Sequence, residues 1–113
     1  MQIETSNVVK LQITDVPRHD LINVFLDDFG NGRGRITIAE FGFAWTAFWS
    51  SMGCSLCDFI IRNDNEYLAV RLSFDPRKHS PALMDSRLNA VKEALRRLHV
   101  HPMEPQSQSS TAS

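Results

Sequence analysis

The chain has 113 residues, of which 42% are hydrophobic and 22% charged, and its formal net charge is −1. This length and composition predict one globular domain with its own core and exclude a fibrous, disordered or disulfide-dependent protein. The longest apolar run, residues 39–49, is too short to span a bilayer, and residues 1–10 lack the pattern of a secretory signal. We therefore expect a cytoplasmic protein without a membrane span.

Four segments in the first half of the chain have the alternating apolar pattern or the aromatic content typical of strands. They span residues 7–14, 21–28, 35–41 and 43–50. Pro17 ends the first segment because proline cannot donate a hydrogen bond to a neighbouring strand. Glycines at residues 30–34 and at Gly42 predict short hairpin connections. The chain is thus expected to begin with a four-stranded antiparallel sheet.

Three helices are expected after the sheet, at about residues 55–63, 65–72 and 81–99. Ser55 and Asp58 fit a capping box, and Asp64 is a cap for the second helix. Residues 66–72 also alternate like a strand, but their Glu, Leu, Ala and Arg favour a helix. In the third helix, apolar residues recur at spacings of three and four, which predicts one face packed against the sheet.

Together these elements predict an α+β fold whose helices pack on one face of the sheet. The single domain is expected to occupy residues 1–101. Residues 102–113 are mostly Pro, Gln and Ser, a composition that predicts a disordered tail.

Cys54 and Cys57 form a C-x-x-C pair at the start of the first helix, a spacing used in redox and zinc sites. A zinc site would need further ligands, and the chain offers His79, His99 and His101. The last two, however, are not spaced as ligands on one helix face. Two partly buried thiols explain the pair better, so we expect neither a metal nor a cofactor.

The glycine-rich segment 30–35 contains two arginines, but it lacks the spacing of a phosphate-binding loop and no helix follows it. A hairpin turn explains it. The groups that could act as acid, base or metal ligand are His19, Asp20, Asp27 and Asp28, but nothing in the sequence places them in one pocket. No order of serine, cysteine and histidine suggests a nucleophile either, so we expect a protein that is not an enzyme.

Aromatic residues concentrate in one window of the chain: Phe25, Phe29, Phe41, Phe43, Trp45, Phe48 and Trp49. Helices can readily cover only one face of the sheet, so some rings are expected on an exposed second face. Such a patch marks a protein interface, and a homodimer would also use it. The partner-binding residues we expect are Phe25, Phe41, Phe48, Asp27, Asp28, Glu40, Arg33 and Arg35.

An alternative interpretation is a nucleic-acid-binding module built on the last helix. Residues 76–113 carry six basic and three acidic side chains, whereas residues 1–75 carry six basic and ten acidic ones. This asymmetry is milder than in most nucleic-acid-binding domains. The residues expected to contact phosphate are Arg87, Lys92, Arg96 and Arg97, with Arg33 and Arg35 as additional contacts.

The sequence also resembles small proteins encoded in bacteriophage and prophage genomes, through residues 11–17, 28–30, 34–38, 44–49, 52–53 and 66–69. The resemblance covers residues 11–73 and brings no settled activity, cofactor or catalytic residue with it. It implies an accessory protein of the host cytoplasm that binds and blocks a host protein complex, such as a CRISPR effector or another defence nuclease. In that setting Asp27, Asp28 and Glu40 would meet a basic nucleic-acid channel.

Overall fold

The protein was analysed as a computed structural model, which describes residues 1–100 and the side chains of residues 1–98. Its elements are β1 (Val9–Ile13), β2 (Ile22–Gly30), β3 (Arg33–Glu40), β4 (Phe43–Trp49), α1 (Leu56–Arg62), α2 (Asn65–Arg71) and α3 (Pro81–Val100). The predicted α+β fold, with four antiparallel strands, two short helices and one long helix, is confirmed. The tail predicted at residues 102–113 lies outside the described residues.

The sheet is an antiparallel meander in which each strand pairs with the next, in the order β1-β2-β3-β4. Its register places four apolar residues in one row across the strands: Leu11, Val24, Ile38 and Trp45. Because side chains alternate along a strand, every second residue on either side of this row points to the same face. We call this the inner face, and the helices cover it.

The core lies between the inner face and the helices. Strand residues such as Ile22 and Ile36 are at most 1% exposed. Each helix adds apolar side chains to the same cluster: Leu56 and Ile60 from α1, Leu68 from α2, and Met84, Leu88, Val91 and Leu95 from α3. The apolar spacing of α3 therefore packs one helix face on the sheet, as predicted.

The caps predicted for the two short helices are formed. Ser55 Oγ accepts a hydrogen bond from the amide of Asp58 at 3.2 Å, and Asp64 Oδ1 accepts one from the amide of Tyr67 at 2.8 Å. These bonds satisfy amides that have no partner within the helix. They fix the start of each helix, and residues 65–71 are helical rather than a fifth strand.

Candidate functional site

Within residues 1–100, no helix lies on the second face of the sheet. Its outward-pointing strand residues are Lys10, Gln12, Asn23, Phe25, Asp27, Phe29, Arg33, Arg35, Thr37, Ala39, Ala44, Thr46 and Phe48. We call this surface the outer sheet face. It holds three cations and one carboxylate, that of Asp27, together with three phenylalanine rings. Its open aromatic and cationic composition makes it the candidate functional site.

The hairpin between β2 and β3 shapes one end of the outer sheet face. Its two loop residues, Asn31 and Gly32, have φ values of 56° and 74°. Positive φ at both positions defines the type I′ turn that Asn-Gly favours. Just before the turn the register shifts between Asp28 and Gly30, a bulge in which Phe29 has no directly paired residue. The bulge thus leaves the Phe29 ring exposed at the rim of the sheet.

Two rings and two guanidinium groups meet at this rim, and we call them the ring cluster: Phe29, Phe48, Arg33 and Arg35. The centroids of Phe29 and Phe48 are 6.1 Å apart. Arg35 Cζ lies 5.6 Å from each of these centroids, and Arg33 Cζ lies 5.8 Å from that of Phe29. Both rings keep about two fifths of their surface exposed, 41% and 40%. The ring cluster therefore presents aromatic surface and N–H donors side by side.

Phe25 extends this surface towards β1. Lys10 Nζ lies 5.7 Å from the centroid of its ring. Thr37 and Thr46 follow in the same row across β3 and β4. The Thr37 hydroxyl donates to Thr46 Oγ1 at 3.0 Å, and the Thr46 hydroxyl donates to the carbonyl of Ile36. Ammonium, aromatic and hydroxyl groups thus continue from the ring cluster across the sheet.

The outer sheet face brings together five of the predicted partner-binding residues: Phe25, Asp27, Arg33, Arg35 and Phe48. Phe41 does not join them. It is 73% exposed, but it lies in the turn between β3 and β4 with φ 64°, at the end of the sheet opposite the ring cluster.

Asp28 faces the helix layer rather than the outer sheet face. Its Oδ1 accepts from the amide of Gly30 at 2.9 Å, and its Oδ2 accepts from the amide of Leu56, the first residue of α1, at 3.0 Å. A carboxylate at a helix N-terminus satisfies a free amide and favours the helix dipole. Asp28 therefore joins the hairpin to α1; it remains exposed, but it does not lie on the outer sheet face beside Asp27.

Glu40 is buried, so it does not lie on the predicted acidic surface either. Its carboxylate accepts from Arg87 Nε at 2.7 Å and from the amide of Asp20 at 2.9 Å, and His19 Nδ1 lies 2.9 Å from its Oε1. Burial raises the pKa of Glu40, but the hydrogen bonds from Arg87, His19 and Asp20 outweigh it and hold the pKa below its usual range. An ionised carboxylate can only accept, so Nδ1 of His19 carries a proton.

His19 also contacts Ser86 Oγ through Nε2, so serine, histidine and glutamate follow one another as in a hydrolase triad. The surroundings do not suit that chemistry. The His19 side chain is fully buried, and Ser86 lies beyond the first turn of α3, where helix hydrogen bonds engage the amides that an oxyanion would need. The contacts instead tie α3 to the end of β3 and to the loop before β2.

Two of the four basic residues predicted to contact nucleic acid point into the fold. Arg87 and Lys92 are 6% and 8% exposed. Arg87 pairs with Glu40, and Lys92 Nζ donates to the carbonyl of Asn63. Burial lowers the pKa of Lys92, and the charge of Arg96 acts in the same direction. Neither cation is placed to meet a phosphate.

The other two, Arg96 and Arg97, are exposed on α3. They lie 3.8 and 3.1 Å from the carboxylate of Glu93, which offsets part of their charge. The basic helix surface of the sequence-based alternative is thus reduced to these two residues, whereas Arg33 and Arg35 belong to the ring cluster on the far side of the sheet.

Cys54 and Cys57 are free thiols that are partly buried. Burial raises the pKa of Cys57, and the carboxylates of Asp28 and Asp58 raise it further. A nucleophilic or metal-binding thiol needs the opposite shift, because the thiolate is the active form. The surroundings of Cys57 therefore favour the neutral thiol.

Two further findings apply to the described part of the chain. It contains no group of three or more His, Cys, Asp or Glu side chains arranged to hold a metal ion. None of its helices combines the length and the apolar character needed to cross a membrane. The side chains of His99 and His101, which were considered as ligands, lie outside the described residues.

Comparison with known proteins relates the chain to a family. A family model described as a phage family, Phage_phiTE_072, matches residues 1–101. This range includes the whole sheet and all three helices. No curated protein and no solved structure matches the chain significantly. The family match agrees with the resemblance to phage and prophage proteins.

Proposed function

Because the chain belongs to this phage family, we propose that it is a phage accessory protein that acts by stoichiometric binding through the outer sheet face. The observation that carries the proposal is the openness of this face, since the helices cover only the inner one. Aromatic and arginine side chains are the types enriched at binding interfaces, and this face exposes both.

We propose further that this protein is not an enzyme. Two groups of side chains are of types that act in catalysis, but the environment of each supports a structural role. The Ser86, His19 and Glu40 contacts are centred on a fully buried imidazole. At the second group, the pKa of Cys57 is shifted away from thiolate formation.

The partner we propose is a host complex of the bacterial cytoplasm, with a defence nuclease or CRISPR effector as the class to test first. The charge of the surface alters how the contact would be made. Glu40 and Asp28 are engaged within the fold, which leaves Asp27 against three cations on the outer sheet face. We therefore propose contact with an anionic part of the complex instead of a basic channel.

Affinity capture from a lysate with active defence systems, carried out with and without nuclease treatment, tests the proposal. The wild type is compared with an Arg35→Ala/Phe48→Ala variant and with an Arg96→Ala/Phe41→Ala control. The control removes the same residue types at exposed positions away from the ring cluster. We expect the wild type and the control to retain the same host complex in a fixed ratio, and the outer-face variant to lose it.

Equal retention by all three proteins would show that the outer sheet face is not the contact surface. Retention of no host protein, together with self-association that the Arg35→Ala/Phe48→Ala variant abolishes, would replace the host complex by a homodimer. Far-UV circular dichroism checks that the three proteins fold alike.

A further inference from the structure

Charge is the first indication of what the outer sheet face recognises. The face carries three cations against the single carboxylate of Asp27. Arg71 of α2 adds a fourth cation beside β4, where its guanidinium donates to the carbonyl of Phe48 at 3.0 Å. Complementarity therefore favours an anionic ligand.

The exposed rings narrow the class of anion. A purely acidic peptide, such as polyglutamate, has no aromatic or apolar side chain to place against the phenylalanine rings and would be held by the cations alone. Unpaired bases, in contrast, stack on aromatic side chains while cations follow their phosphates. Phe25, Phe29 and Phe48 lie on the same open face as these cations. Proteins that bind single strands combine the same two features, aromatic rings for the bases and cations for the phosphates.

Arg35 is already positioned for such a ligand. Its guanidinium lies 5.6 Å from the ring centroids of both Phe29 and Phe48. Contact with two rings restricts the side chain before any ligand arrives, so less conformational entropy is lost when it binds phosphate. The paired hydroxyls of Thr37 and Thr46 supply further polar contacts in the neighbouring row.

We infer that the outer sheet face binds single-stranded nucleic acid, with bases stacked on Phe29 and Phe48 and phosphates held by Arg35 and the neighbouring cations. This inference rests on the proposed function, since it names the chemistry that the same surface recognises on its partner. A duplex fits less well, because its bases are stacked on one another and cannot reach the rings.

The direct test is fluorescence anisotropy with labelled oligothymidylate and oligouridylate of about 15 nucleotides, a length that covers a small binding domain. We expect both to bind at about 50 mM salt and to bind more weakly at about 200 mM, because phosphate contacts release counterions. A mixed-sequence duplex of the same length is expected to bind more weakly than either single strand.

Two variants separate stacking from charge. Phe48→Leu keeps an apolar side chain beside Phe29 but removes the ring, and we expect roughly 5- to 150-fold weaker binding. Affinity falls with salt, so the slope of log affinity against log salt is negative. Arg35→Ala should make this slope shallower by about 0.7, the value for one phosphate contact on a single strand. The controls Phe41→Leu and Arg96→Ala should bind like the wild type.

Several results would overturn the inference. They are equal binding by Phe48→Leu and the wild type, duplex binding as tight as single-strand binding, and no binding at about 50 mM salt. Tighter binding of polyglutamate than of oligothymidylate would assign the face to an acidic protein. If no oligonucleotide binds but a nuclease-resistant complex still depends on Arg35 and Phe48, this inference fails and the proposed function stands; if both assays are negative, both fail.

Discussion

The two faces of the sheet use the same residue types in opposite environments. On the inner face, Arg87 lies over the Trp45 ring, with Cζ 4.5 Å from the centroid, and pairs with Glu40 away from water. On the outer sheet face, Arg35 lies over two phenylalanine rings that remain exposed. Both arginines make cation–π contacts, but only the first is enclosed.

Residue type alone therefore does not assign a role to an arginine over an aromatic ring. A buried cation paired with a carboxylate stabilises the fold, because removing either partner leaves an unpaired charge away from water. An exposed cation over a ring contributes little to stability, since solvent screens it. The outer arginine therefore keeps its capacity to bind a ligand. Substitutions on the two faces test this contrast.

The largest effect is expected for Glu40→Ala, which removes the buried partner of Arg87 and His19. The free energy of unfolding should fall by about 3–5 kcal/mol, the usual cost of breaking a buried ion pair. Urea denaturation followed by circular dichroism measures it. Asp27→Ala, on the outer sheet face, should change it by less than about 0.5 kcal/mol; equal losses would remove the distinction between the faces.

A smaller loss is expected for Gly32→Ala in the hairpin that carries the ring cluster. Gly32 has φ 74°, and an added Cβ would lie 3.2 Å from the backbone nitrogen of Gly53, which cannot easily move. We expect the free energy of unfolding to fall by about 1–3 kcal/mol. Gly42→Ala is the control, because its φ is not positive and no atom lies within 4 Å of the added Cβ.

Acid should weaken the hydrogen bonds around the buried Glu40 and leave the outer sheet face unchanged. The pKa of Glu40 is lower in the folded protein than its ordinary value of about 4.3. Its stabilising contribution is therefore complete above that value and is lost as the pH falls through the folded pKa. Unfolding curves from pH 6 downwards should show the wild type losing its advantage over Glu40→Gln below about pH 4.3. A constant difference would contradict this assignment.

A small effect on stability is also expected for Arg35→Ala, the outer counterpart of the buried Arg87. Its cation–π contacts are exposed, so the free energy of unfolding should fall by less than about 1 kcal/mol. The same variant should weaken binding at the outer sheet face. Chemical denaturation and anisotropy on one preparation compare the two quantities, and a large loss of stability would mean that the ring cluster serves the fold.

The secondary structure could be predicted because its determinants are local. Asn31-Gly32 encodes the turn, and Ser55 and Asp64 lie within three residues of the amides that they cap. The cap also decides residues 66–72, which alternate like a strand, since a capped helix satisfies amides that a lone strand would leave open. Such features need no knowledge of the tertiary fold.

The spacing of apolar residues in β3 and α3 indicates that Glu40, Arg87 and Lys92 are buried, although their charge suggests exposure. Glu40 follows Ile36 and Ile38 in strand alternation, which places it on the inner face. Along α3, Arg87 lies three residues after Met84 and four before Val91. Lys92 lies four residues after Leu88 and three before Leu95, so both cations share the apolar face of the helix. Periodicity indicates the face of an element, and it overrides the expectation that charged residues are exposed.

The partners of these residues could not be predicted from the sequence. The network around Glu40 joins residues 19, 40 and 87, and only the folded chain brings them together. The same holds for the ring cluster, because Phe29 and Phe48 belong to strands that are not neighbours in the sheet. The aromatic content was visible, but the arrangement depends on the bulge and the register.

Asp28 links the two layers of the protein through a single carboxylate. It binds the amide of Gly30 at the base of the hairpin and the amide of Leu56 at the start of α1. Opening of the hairpin would release both amides to water together. Hydrogen–deuterium exchange at Leu56 therefore provides an internal reporter of the ring cluster: a ligand that holds the hairpin closed should slow exchange at an amide on the opposite side of the sheet.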